Sequence, residues 1–280
     1  MVPTTTLPLQ PPPDFNLRST VRSHGWSDLA PFACDRTGDT LTIALPEGQV
    51  TVTKEGTRLV SQARPSAAEK RRVTATVASC LRFDLDLSEF WTLCEDDPEL
   101  RWAAEHRAGR FLRAPTAFAD AAMTLATTNC SWAMTRHITS ALVERWGENG
   151  AFPSAERMRR VSEADLRKHA SVGYRAPFFR ALARNEDLES LRTAEDAEPR
   201  LLALRGFGRY AADSMLRLLG RHDTLGLDSA VIPAWKRRYP RRKATASAIG
   251  KRLKRYGKYK GTAFWLLCHE HWYHRDAWLG

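Results

Sequence analysis

The chain has 280 residues, 43% of them hydrophobic, with a formal net charge of +11 and a pI near 9.8. That hydrophobic content builds a sizeable core, in one composite domain or two intimate ones, and excludes an intrinsically disordered chain. The charge fits a polyanion-binding protein, because neutralising phosphates releases their counterions, although many basic proteins only carry a solvated positive face.

Met1 to Pro13 is rich in Thr and Pro and has neither a basic start nor an apolar segment, so residues 1–14 read as a disordered tail rather than a signal peptide. No stretch approaches the length of a bilayer span, and a membrane partner is not expected. The five cysteines, Cys34, Cys80, Cys94, Cys130 and Cys268, are scattered and odd in number, which predicts reduced thiols in a cytoplasmic protein. They also lack the clustered spacing of an iron–sulfur site.

Alternation over Thr40 to Leu45, Val50 to Thr53 and Arg58 to Ser61, broken at Pro46-Glu47-Gly48 and Glu55-Gly56, predicts an antiparallel meander. Ser66 with Glu69 forms a capping box, and Val73, Val77 and Leu81 then line one helical face. Further helices start near Ser88 and after Pro98. Sheet backed by helix gives an antiparallel β/α unit over residues 15–105.

From Pro115 the pattern is helical throughout, so the chain reads as α+β, mostly α, with a helical unit over residues 106–280. Thr116 caps a helix to about Ala126, Met134, Ile138 and Leu142 mark one that ends at Gly147, and Ser162 with Asp165 forms another box. A helix after Gly173-Tyr174-Arg175-Ala176-Pro177 runs through Leu182, and the last starts near Thr262.

Leu204-Arg205-Gly206-Phe207-Gly208-Arg209-Tyr210 lies between two helical segments, and its glycines describe a tight hairpin (204–210). Ala211, Met215, Leu218 and Leu219 recur at helical spacing behind it, and Gly220 stops the helix. The first amides of that helix have no internal partner and make an anion site of phosphate size. A helix–helix corner is the plainer reading. Asp228, ahead of Ala230, Val231 and Ile232, is placed as a helix N-cap.

A hairpin followed by such an aspartate resembles the helix-hairpin-helix DNA glycosylase superfamily, and an N-terminal antiparallel sheet before a helical body is similar to its 3-methyladenine and 8-oxoguanine branches. Thr127-Thr128-Asn129 and Gly173-Tyr174-Arg175-Ala176 look like the loops with which the 8-oxoguanine enzymes fill the hole left by an extruded base. Matches span residues 15 to about 267. The absence of clustered cysteines sets the chain apart from the iron–sulfur branch.

The resemblance implies double-stranded DNA carrying a damaged base as partner, a monomer, and no required cofactor. Catalysis falls to Asp228, and DNA binding to Gly206, Phe207, Gly208, Arg209, Tyr210, Asn129, Tyr174 and Arg175. The main-chain carbonyls of Leu202, Leu204 and Phe207 would hold a monovalent cation at the hairpin. Bifunctional members carry a lysine after the hairpin where this chain has Tyr210. A phenol cannot form a Schiff base, so hydrolysis without strand cleavage is expected. The next lysine is Lys236, beyond Asp228, and Lys258 follows in the C-terminal segment.

Trp132, Phe264, Trp265 and Trp272 are candidates to stack on an electron-poor alkylated purine, with a place in the core as the competing reading for each. His269 and His271, two residues apart, point to different sides of a helix and read as surface histidines rather than zinc ligands. An alkylated purine is the expected lesion, with an 8-oxoguanine-type glycosylase as the alternative. From other classes, a non-catalytic DNA-binding module and an RNA-binding protein remain open.

Overall fold

Alternating apolar and polar residues from Leu41 to Val60 place Leu41, Ile43, Val50, Val52 and Leu59 on one buried face, and this face organises the N-terminal sheet. In the computed structural model, which describes residues 3–228 and 231–274, the strands are β1 (Thr4–Leu7), β2 (Phe32–Cys34), β3 (Leu41–Leu45), β4 (Gly48–Thr53) and β5 (Gly56–Val60). They pair antiparallel in the order β1-β5-β4-β3-β2, with Ile43 opposite Val50 and Phe32 opposite Ile43. The three-strand meander read from the sequence is the centre of this sheet.

The expected disordered tail is corrected by β1: Thr4 pairs with Val60 and Leu7 with Thr57, and Leu7 is buried. Composition missed this strand because it is four residues long and its partner edge lies some fifty residues away.

The described residues form helices α1 (Leu17–Val21), α2 (Ala67–Cys80), α3 (Ser88–Glu95), α4 (Arg101–Glu105), α5 (Ala117–Thr127), α6 (Trp132–Trp146) and α7 (Ala155–Arg159). Then come α8 (Glu163–Ala170), α9 (Ala176–Ala183), α10 (Ala197–Ala203), α11 (Arg209–Leu218), α12 (Val231–Arg238), α13 (Ala246–Arg252) and α14 (Lys260–Tyr273). The predicted caps are present. Ser66 and Glu69 form both hydrogen bonds of the capping box on α2, and Thr116 accepts from the Ala119 amide at the start of α5.

Helix α5 is buried from Ala117 to Ala126, and its small side chains let α6, α9 and α11 approach it closely. The C-terminal segment closes back on the N-terminal one. Phe90 packs on Tyr259 at 5.4 Å between ring centres, Trp102 on Tyr273 at 4.9 Å, and the Trp265 indole donates to the Ser23 carbonyl at 2.9 Å. Through these contacts α14 runs beside the turn Gly25–Asp28, which therefore reaches the helical body. Among the described residues no helix is long and apolar enough to cross a membrane.

Candidate active site

The hairpin is α10, the loop 204–208 and α11. Gly206 has φ +89°, and a Cβ there would come within 2.6 Å of the Phe178 ring, so both backbone and packing require glycine. Phe207 turns its ring into the core, and its amide donates to the Leu204 carbonyl at 3.0 Å. Gly208 stands at the N-cap of α11 with no side-chain cap and with open space where a Cβ would go, so the first amides of α11 face outward.

Beside the hairpin lies a cleft of about 800 Å³, which brings together Tyr210, Ser214 and Arg217 of α11, Asp228, and Trp265, His269 and Trp272 of α14. Its other wall is Thr127, Trp132 and Arg136 with the turn carrying His24, Trp26 and Asp28. Asp228 Oδ1 accepts from the Val231 amide at 2.7 Å, and its carbonyl accepts from the Ile232 amide, so it caps α12 as predicted while opening on the cleft. Ser229 and Ala230, the latter in the predicted apolar run, lie outside the described residues.

The Tyr210 hydroxyl lies 3.0 Å from Thr127 Oγ1, which seats the phenol against α5. Asp28 accepts from the Trp132 indole at 2.7 Å and faces Arg136 at 3.6 Å. Burial lowers both cleft imidazoles, His24 and His269, to about 3, so they are neutral at physiological pH. His24 Nε2 donates to the Leu112 carbonyl at 2.6 Å, leaving Nδ1 to accept from the Trp26 amide.

Outside the cleft, Asn129 stands in the α5–α6 loop with φ +46°, and its amide donates to the Tyr174 hydroxyl at 3.2 Å. Tyr174 is 55% exposed. Arg175, by contrast, is buried: it donates to the carbonyls of Thr128 and Asn129 and lies 4.7 Å from the Tyr174 ring centre. Arg175 therefore braces the loop from beneath.

No protein-family model and no curated protein sequence matches this chain. Solved structures do. The 3-methyladenine DNA glycosylase of Archaeoglobus fulgidus aligns with a TM-score of 0.68 at 19% identity, over 97% of this chain and 99% of that one. The structure of MBOgg1 with a low-affinity DNA ligand aligns at 0.71 and 18% identity, over 92% of each chain. The Clostridium acetobutylicum 8-oxoguanine glycosylase/lyase, bound to DNA with cytosine opposite 8-oxoguanine, aligns at 0.67 and 15%, over 88% and 90%. The fold is that of these DNA glycosylases.

Within this glycosylase fold, Asp228, Tyr210, Trp132, Trp265 and Trp272 meet in one cleft. Phe264 does not: it is fully buried against Trp235, 5.3 Å between ring centres, and takes the core reading. Arg209, expected at a phosphate, is tied to Asp213 at 2.7 Å and Glu198 at 2.5 Å. Arg205, exposed on the loop, forms no ion pair among the described residues and lies 5.8 Å from the Phe178 ring centre. The surface reading of His269 is corrected: it is buried, with its ring stacked on Trp265 at 3.9 Å. Its spacing of four from Trp265 on α14 carried that signal. His24, Trp26, Asp28 and Arg217 were missed altogether, the first three because they reach the cleft from the N-terminal segment. Among the described residues no three His, Cys, Asp or Glu side chains gather as a metal site.

Proposed function

We propose that the protein is a monofunctional DNA glycosylase, which acts as a monomer, extrudes a damaged base from duplex DNA and hydrolyses its N-glycosidic bond without cutting the strand. The observation that carries this reading is Asp228, a carboxylate fixed by the Val231 amide at 2.7 Å and opening on a cleft beside the hairpin with room for an extruded nucleotide. Extrusion costs a few kcal/mol and needs a grip and a plug. The amides at Gly206, Phe207 and Gly208 are the grip, and Asn129 with Tyr174 the plug. The carbonyls of Leu202, Leu204 and Phe207 would hold a monovalent cation beside the gripped phosphate. An all-carbonyl donor set suits a single charge, and the Leu204 oxygen retains a lone pair after accepting from Phe207.

As the bond from C1′ to the base nitrogen breaks, its electron pair leaves with the base and positive charge develops on the deoxyribose. The Asp228 carboxylate stabilises that charge and orients the attacking water. Water oxygen bonds to C1′, and the proton it loses ends on a base that departs as an anion, or in solvent where a cationic alkylated base departs neutral. Tyr210 occupies the place of the amine used by lyases and supplies no imine-forming nitrogen.

Two lesion classes have support. The Trp132 and Trp272 rings at the cleft favour an electron-poor alkylated purine. The Asn129–Tyr174 pair and the buried Arg217 favour an oxidised purine of the 8-oxoguanine kind. The test is abasic-site formation from duplexes carrying each lesion, with Asp228→Asn as control. Binding without base release from any of them would leave a non-catalytic DNA-binding module.

A further inference from the structure

We infer that Arg217 selects the base: the cleft is built for a neutral purine lesion that offers hydrogen-bond acceptors and departs as an anion, and it disfavours a cationic alkylated purine. This rests on the glycosylase reading above and deepens it.

Arg217 lines the cleft yet is only 9% exposed, and its Nε has no hydrogen-bond partner among the described residues. Its guanidinium carbon lies 4.0 Å from the Trp265 ring centre. A Cβ on Gly226 would come within 2.4 Å of Nη2, so glycine there makes room for the guanidinium two residues before Asp228. A buried donor without an acceptor is costly, and an acceptor on the bound base would remove that cost.

The other cleft charges are differently placed. Asp28 and Arg136 face each other, and the Arg136 side chain is 59% exposed. The imidazoles of His24 and His269 are neutral. Arg217 is therefore the buried positive charge of the cleft, opposed by the Asp228 carboxylate. Burial lowers it to about 10, which leaves it charged at neutral pH.

Trp265 does not counter this charge by stacking on a cationic base. Its indole has the Arg217 guanidinium at 4.0 Å and the His269 ring at 3.9 Å. Groups so close to one ring overlap unless they take opposite faces, so Trp265 presents an edge to the cleft. Purines alkylated at N3 or N7 carry a positive charge in the nucleotide, and a fixed guanidinium raises the energy of binding them. A neutral purine lesion leaves with both electrons of the C1′–N9 bond. Arg217 then meets negative charge as it develops on the base while Asp228 meets the positive charge on the sugar, and the water proton later neutralises the base anion.

The experiment measures single-turnover excision of hypoxanthine, 8-oxoguanine and 7-methylguanine from matched duplexes by the wild-type protein, Arg217→Lys and Arg217→Met, with thermal unfolding of each. We expect the wild type to release at least one neutral lesion faster than 7-methylguanine. Arg217→Met should lose about a hundredfold on that lesion and release 7-methylguanine faster than the wild type does, with Arg217→Lys keeping the wild-type order. A wild type that prefers 7-methylguanine overturns the inference without any variant, and so does an equal loss on all lesions in a folded Arg217→Met. If the wild type releases none of these bases nor any other of the lesion panel, the glycosylase reading itself has failed, and the selection by Arg217 falls with it.

Discussion

The side-chain amide of Asn129 donates to the hydroxyl of Tyr174 at 3.2 Å, joining the α5–α6 loop to the turn before α9 across forty-five positions of sequence. Arg175 holds the loop from beneath by its carbonyls. If the pair fills the space of an extruded base, Asn129→Ala and Tyr174→Ala should each weaken binding to lesion-bearing duplex about tenfold, on the order of one lost hydrogen-bonded or stacked contact. Affinity for undamaged duplex should change little. The double variant should lose less than the product of the single losses, because either change breaks the same contact. Fully multiplicative losses would mean that the two residues act separately.

Asp228→Asn should slow base release by at least about a hundredfold while retaining lesion binding. The amide oxygen still accepts from the Val231 amide, so the cap persists and the charge is what is lost. Single-turnover rates near wild type in a folded variant would remove Asp228 from the reaction.

The hairpin and its aspartate were legible because each rests on a local rule: glycines at a tight turn, a carboxylate one residue-triplet before a helix amide. The meander and the caps on α2 and α5 were legible for the same reason. The rest of the cleft was not. Trp26 enters it because its indole donates to Asp120 at 2.9 Å, and Trp132 because it packs on Gly25, where a Cβ would come within 2.3 Å. Such contacts join segments about a hundred residues apart, and neither spacing nor periodicity encodes them. Arg217 was hidden differently: it sits on the buried stripe of α11, where a charged residue reads as an interruption rather than a signal.

Gly206 and Gly208 should separate fold from function. Gly206→Ala combines a left-handed backbone with overlap on Phe178 and should cost about 1–3 kcal/mol of stability, seen as a lower Tm. Gly208 has φ −93° and nothing within 4 Å of an added Cβ, so Gly208→Leu should fold normally. Its side chain would then stand over the outward amides of α11 and weaken damaged and undamaged duplexes alike, since phosphate contacts carry no sequence or lesion information. A loss confined to damaged DNA would rule out a generic backbone grip.

Stability should fall on acidification below pH 6.5. Burial holds His24 and His269 at about 3 and His222 at about 4, all below the usual 6.5. Between those values the unfolded chain binds protons that the folded chain refuses, so stability is full above pH 6.5 and is lost as pH falls. Asp120 acts in the opposite sense. Burial raises it to about 6 from 3.8, so the folded chain holds a proton there that the unfolded chain releases, adding stability as pH falls through 6. His106 is lowered in the same sense as the other imidazoles and Asp213 raised in the sense of Asp120, so four imidazoles against two carboxyls set the net sign, and Tm should decrease from pH 7 to pH 5. A Tm that rises over this interval would contradict buried neutral imidazoles.

Borohydride should trap no covalent protein–DNA adduct, and the product should be an intact strand with an abasic site. A Schiff base needs a neutral primary amine at the anomeric carbon, and the described residues lining the cleft include no lysine. Tyr210, at the position in question, has a phenol anchored to Thr127 at 3.0 Å. Arg217 keeps its proton and delocalises its charge, so it does not attack. Lys258 is engaged by Glu89 at 2.6 Å, and Lys236 lies exposed beyond the first turn of α12. Tyr210→Lys supplies the converse test, since it sets an amine on the same wall of the cleft as Asp228. That variant should become trappable by borohydride on the duplex whose base the wild type releases. Trapping of the wild type, abolished by replacing Lys236 or Lys258, would instead assign it a lyase step and move the 8-oxoguanine-type mechanism ahead.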